Sequence, residues 1–262
     1  MVVRGLRLEH ACISAEWHHC REMTCGYQNL AIFVCQKCAF MLKIHYLRVS
    51  DYDAVADAEL AGKVCEETLA ATETFRCAKV RRLKWIGEGM IRDLLENELR
   101  IQRGTYRIVR AEHGKPYVEG TPFPVFYNLS HSGDYVVCGL SDREVGVDVQ
   151  QVGKYRGELV RRFFHPREIR QLEQCAEEMR SDLFFRYWSA KESYLKYTGT
   201  GLSASLSGFE VRFEKQGIRV VSQDSLQPIY LSECALDNNY KCFVCSECPE
   251  VPEIIPFAFD GR

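Results

Sequence analysis

From residue 41 onward, apolar and polar positions follow two regular spacings. In residues 41–50 (MLKIHYLRVS) they alternate, which predicts a strand, because successive side chains of a strand point to opposite faces. Residues 52–84 are helical in composition and end in a basic cluster. In residues 87–102 (GEGMIRDLLENELRIQ), Met90, Ile91, Leu94, Leu95, Leu99 and Ile101 broadly follow helical spacing and predict an amphipathic core helix. Strands follow in 105–120, 123–142 and 143–152, punctuated by His-Gly-Lys-Pro and Ser-Gly-Asp turns. Residues 157–197 predict a long amphipathic helical region closed by Gly199 and Gly201, and residues 208–221, 227–236 and 238–248 return to strands.

Read coarsely, the order strand, helices, strands occurs once over residues 41–143 and again over 144–262, although no exact repeat is visible. The expected fold is therefore α+β, built of two similar α+β halves. Residues 1–40 differ from the rest, with five cysteines and three of the seven histidines, and form an N-terminal Cys/His-rich extension. Their one Cys-x-x-Cys pair, CQKC, has no second pair at finger or ribbon distance, so a weakly ordered extension is favoured over a zinc site.

Composition narrows the class. Thirty-four basic against 36 acidic residues leave a net charge of -2, which gives no global field for nucleic acid or an anionic membrane, so any anion site must be local. The apolar run at residues 29–44 is broken by Gln36 and Lys37 and is too short for a membrane span. Thirteen cysteines without a regular framework or secretory pattern read as reduced thiols of a cytoplasmic protein, and those of YKCFVCSEC fall on alternating strand faces as core thiols.

The candidate chemistry begins in EVGVDVQQV, where Asp148 sits between two valines and shares a strand face with Gly146 and Gln150. Alone, this fragment reads as a strand whose outer face meets water. A second carboxylate, Glu192, stands in RYWSAKESYLKYTGTGL on the same helix side as Trp188 and Lys196. Groups suited to phosphate lie in HGKP (Lys115), NLSHS (Ser130, His131) and RCAKVRR (Arg76, Lys79, Arg81, Arg82). Two separated carboxylates with scattered Lys, Arg and His suggest Mg²⁺ bridging to a polyphosphate, because Mg²⁺ takes one or two protein carboxylates and completes its shell with phosphate and water.

GVDVQ, some 40 residues before WSAKESYLK, with HGKP and NLSHSGDYVV upstream and RRFFHPRE between, resembles the Sfp-type 4'-phosphopantetheinyl transferases over about residues 41–248. The resemblance implies two α+β halves with the site between them. It also implies Mg²⁺-dependent (or Mn²⁺-dependent) transfer of the phosphopantetheine arm of coenzyme A to a serine of an apo acyl or peptidyl carrier protein, releasing 3',5'-ADP, by a protein expected to be a monomer. Carried onto this chain, it makes Asp148 and Glu192 metal ligands, with Glu192 also the base for the incoming serine. Lys196 and His131 would contact phosphates with Ser130 and Lys115 nearby, and Arg76, Lys79 and Arg92 would hold the 3'-phosphate end. Many family members carry a carboxylate where this chain has Gln150, whose amide oxygen can approach the metal without bringing charge. The rival reading is a non-catalytic coenzyme A or nucleotide-binding relic of the same fold.

Overall fold

Three helices and a sheet make the first part of the chain. After strand β1 (Lys43–Arg48), helices α1 (Asp57–Ala61), α2 (Glu66–Glu73) and α3 (Ala78–Asp93) follow, the last running on through a wide turn at Leu94–Glu98. A hairpin of β2 (Arg107–Arg110) and β3 (Pro116–Glu119) precedes β4 (Phe126–Ser132) and β5 (Tyr135–Ser141), joined at Gly133 in a left-handed conformation. The second part opens with β6 (Val145–Gln151). It continues through α4 (Gly157–Phe163), α5 (Pro166–Gln174) and α6 (Glu177–Thr198) to β7 (Glu210–Glu214), β8 (Gly217–Val221), β9 (Tyr230–Cys234), β10 (Tyr240–Ser246) and β11 (Glu253–Pro256). This computed structural model describes residues 42–52, 57–111, 114–201, 205–222, 229–247, 249 and 251–259. The expectations for residues 1–40, extension and zinc alike, lie outside the described residues.

Two sheets result. One has the order β11-β1-β5-β4, the other β6-β10-β9-β8-β7, and α3 lies on the first as α6 lies on the second. The expected α+β halves are thus present. An apolar layer joins them: Ile44, Tyr135 and Val137 meet Val145, Val147, Val149, Cys242 and Val244. The alternation of NYKCFVCSEC is used on both faces, with Cys242 and Val244 in that layer and Phe243 and Cys245 against α6.

Three expectations change. The basic cluster at 76–84 does not close one helix before another begins, because α3 runs through the join from Ala78 to Asp93. Region 157–197 is three helices. His165 caps α5 by accepting the Arg167 N–H, Pro166 supplies a first residue that needs no partner, and Glu168 returns a bond to the His165 N–H. The strands expected to end at residue 248 are followed by one more, β11, which pairs in parallel with β1 in the first sheet, Lys43 opposite Glu253. No helix of the described residues is long and apolar enough to cross a membrane.

Candidate active site

Asp148 reaches its place because a glycine lets helix and strand touch. A Cβ on Gly146 would lie 2.1 Å from the Ser193 carbonyl oxygen and 2.3 Å from the Tyr197 nitrogen, so only glycine allows α6 to press onto β6 here. Ser189 secures the approach by donating to the Asp148 carbonyl at 2.9 Å. The Asp148 carboxylate is 2 % exposed, yet it lines a cleft of about 280 Å³ between the halves. Around it stand Ser130, His131 and Leu129 of β4, Lys84 and Gly87 of α3, Gln150, and Glu192 and Lys196 of α6.

Polar contacts inside the cleft are dense on one side and sparse on the other. Lys196 Nζ donates to Asp148 Oδ1 (2.8 Å), Ser130 Oγ (2.9 Å) and the Val147 carbonyl (3.0 Å). Ser130 Oγ donates to Asp148 Oδ1 at 3.0 Å, and Gln150 Nε2 donates to Asp148 Oδ2 at 2.9 Å. Gln150 therefore shares the face of Asp148, with its amide nitrogen rather than its oxygen turned to the carboxylate. Glu192 has no hydrogen-bond partner among the described residues. Burial and the neighbouring Asp148 charge raise its pKa, opposed by Lys196.

Two nitrogen bases complete the wall. Burial, Lys84 and Lys196 hold the His131 imidazole below its usual pKa. Burial, Arg110 and Lys196 lower that of Lys84, which has no hydrogen-bond or ion-pair partner among the described residues. The sequence reading missed Lys84: ending one helix at 84 and starting another at 87 left its face unassigned, and only the continuous α3 turns it into the cleft.

The other basic candidates do not line the cleft. Arg76 and Lys79 are exposed at the start of α3. Arg92 pairs with Glu88 at 2.8 Å, while Arg81 and Arg82 turn to Asp57 of α1. Lys115 bonds Glu144 and, at 2.9 Å, the Tyr197 carbonyl near the end of α6.

What could bind follows from the donors. Two carboxylates facing one space, one of them unpartnered, are hard oxygen ligands that fit Mg²⁺ better than a soft metal. Among the described residues no group of three or more His, Cys, Asp or Glu could hold a metal ion, so such an ion would need water or phosphate to complete its shell.

Comparison with known proteins places the chain. Residues 59–142 match the family model "4'-phosphopantetheinyl transferase, N-terminal", and residues 144–245 match the "4'-phosphopantetheinyl transferase superfamily". The 4'-phosphopantetheinyl transferase Sfp of Bacillus subtilis (strain 168) is 31% identical over 171 residues, 65% of this chain and 76% of that protein. The transferase psf-1 of Bacillus pumilus is 32% identical over 188 residues, 71% of this chain and 80% of that one. Another 4'-phosphopantetheinyl transferase of Bacillus subtilis is 28% identical over 208 residues, 76% of this chain and 92% of that one. The chain belongs to the 4'-phosphopantetheinyl transferase family. It is an enzyme of that activity, with coenzyme A and a carrier protein as the partners its family implies.

Proposed function

We propose that the cleft between the halves is the active site, that Asp148 and Glu192 hold Mg²⁺ there with Mn²⁺ as a substitute, and that the acceptor is a serine of an apo acyl or peptidyl carrier protein. The supporting observation is Glu192: a half-buried carboxylate beside a second carboxylate, without a hydrogen-bond partner among the described residues, is a costly arrangement unless a cation or a proton joins it. When bound, the ion would neutralise charge on the pyrophosphate oxygens.

The chain's own groups supply the rest. The carrier serine oxygen forms a bond to the phosphorus next to the pantetheine arm, the pyrophosphate P–O bond breaks, and 3',5'-ADP leaves. Glu192, which faces the cleft without a side-chain hydrogen-bond partner among the described residues, accepts the serine proton during attack. Lys196, Lys84 and His131 face the phosphates. Neutral His131 would take up a proton as the anion enters, because a nearby negative charge raises its pKa. Gln150 holds Asp148 through its amide and approaches the ion only if that amide turns over. Arg76, Lys79, Arg92 and Lys115 would reach coenzyme A from outside the cleft, Lys115 by leaving Glu144. The seven described cysteines are free thiols, which suits a monomer working in a reducing cytoplasm.

The test is incubation of the purified protein with coenzyme A, Mg²⁺ and a small panel of apo carrier proteins, each product being weighed. A mass gain equal to one phosphopantetheine on the acceptor serine, abolished by chelation, is expected. Transfer that persists in chelator would refute the metal assignment.

A further inference from the structure

The halves meet along an unusual seam. β4 and β6 are edge strands of their two sheets, yet they lie side by side and are not paired through their backbones. The outer N–H groups of β6 at Val147, Val149 and Gln151 nevertheless all find acceptors. Asn128 Oδ1 accepts from Val147 at 3.0 Å, Ser130 Oγ from Val149 at 3.2 Å, and Ser132 Oγ from Gln151 at 3.0 Å. Each bond spans 19 residues, so the spacing keeps step along both strands. Alternate short polar side chains on one face of β4 stand in for the missing backbone ladder, and two of them satisfy buried donors, Val147 N–H and Val149 N–H, that would otherwise be orphaned.

Ser130 does more than its two neighbours. A hydroxyl has one proton to give and two lone pairs to receive with. The proton goes to Asp148 Oδ1, and the lone pairs take the Val149 N–H and Lys196 Nζ. Nothing is left for a phosphate oxygen, which could be bound only by withdrawing the proton from Asp148. The residue is also 6 % exposed.

We propose that Asn128, Ser130 and Ser132 form a side-chain ladder joining the two halves, and that Ser130 is its positioning residue, setting Asp148 and Lys196 in the cleft rather than binding a phosphate of coenzyme A. This inference rests on the reading of Asp148 and Lys196 as working groups. The ladder ties the register of the β6 carboxylate to the β4 wall, so the two sides of the cleft cannot slide apart without breaking bonds at the reacting centre.

The test compares three variants of the full chain. Ser130→Ala removes the hydroxyl, and Ser130→Cys keeps the volume while weakening its hydrogen bonds, so that a result is available if the alanine variant folds poorly. Ser132→Ala loses one bond to a β6 N–H but touches neither Asp148 nor Lys196. Turnover at saturating coenzyme A and the coenzyme A dissociation constant by calorimetry are measured for each. The proposal expects kcat to fall about tenfold to a hundredfold in the Ser130 variants, the scale of lost hydrogen bonds to charged groups. It expects their coenzyme A affinity to stay within about twofold of the parent protein, as for a group that acts on the reacting geometry rather than on binding. Ser132→Ala should keep its kcat. Weakened coenzyme A binding with kcat intact would make Ser130 a phosphate ligand, and an equal loss of kcat in Ser132→Ala would make the effect a general loosening of the seam; either overturns the proposal, as does unchanged kcat in the Ser130 variants. Asp148→Ala is run alongside, because full turnover there would refute the site itself and not merely the role of Ser130.

Discussion

Two lysine–carboxylate pairs on α6 stand five residues apart and do opposite work. At about 100° per residue, five residues turn Lys191 and Lys196 roughly 140° away from each other around the helix. Lys191 Nζ meets Glu168 Oε1 and the Phe209 carbonyl, each at 2.8 Å, and both members of the pair are 1 % exposed. Glu168 Oε1 also accepts the Val211 N–H, and its other oxygen accepts the His165 N–H. Every partner lies within the protein, so the pair ties α5, α6 and β7 together. Lys196 and Asp148 are 28 % and 3 % exposed, and their charges open on the cleft. Burial alone does not separate the two pairs, since Asp148 is almost as covered as Glu168. The difference is where the remaining bonding capacity points, inward for one pair and toward the cleft for the other.

The largest effects are expected on the open side. Asp148→Ala and Glu192→Gln should each lower transfer to an apo carrier protein by at least about a hundredfold, with circular dichroism unchanged, because in the proposed mechanism each removes a group acting on the transition state. The closed pair should answer in stability instead. Lys191→Met leaves the Glu168 charge buried without its counterion and should cost about 3–5 kcal/mol in urea unfolding. Replacing both partners by apolar residues should recover much of that loss.

Lys196→Met sharpens the contrast. Its transfer rate should drop about tenfold or more while its unfolding midpoint stays near the parent value, since Lys196 is partly solvated and, in the proposed mechanism, acts on developing charge. A midpoint shift as large as that of Lys191→Met would show that the two pairs are not different in kind.

A smaller effect concerns pH in the metal-free protein. Burial and then Asp148 raise the Glu192 pKa above the usual glutamate range, so the folded state holds that proton more tightly than the unfolded chain does. The stability this contributes is full at pH below the unfolded value and is lost as pH rises through the folded one. In chelator, Glu192→Gln should therefore gain stability over the parent protein as pH increases through that window, read by denaturant unfolding at a series of pH values. Added Mg²⁺ should erase the gap by stabilising the parent protein alone. The smallest change belongs to Gln150→Glu, which exchanges the bond to Asp148 Oδ2 for a third negative charge. The half-saturating Mg²⁺ concentration for transfer should fall, with little change in rate at saturating metal.

Local pattern determined much of this protein. Turn signals bounded β4 and β5, alternation marked the face of β6 that carries Asp148, and helical spacing put Glu192 and Lys196 on one side of α6. The residues of GVDVQ and WSAKESYLK carried the family resemblance that the comparisons bear out. Pro166 and Glu168 held the signal that divides the long helical region, although it lay inside an otherwise regular pattern. Tertiary structure decided the partners. Lys191 and Lys196 look alike in the sequence, and only the packing of α5 and β7 against α6 makes one a sealed brace. Lys84 entered the cleft through the register of a helix whose continuity short windows could not show. Lys115 went to Glu144, and β11 crossed back to β1. Spacing along a chain is set by bonds a few residues apart, whereas the choice among distant partners is made by burial and by hydrogen bonds that exist only once the elements have docked.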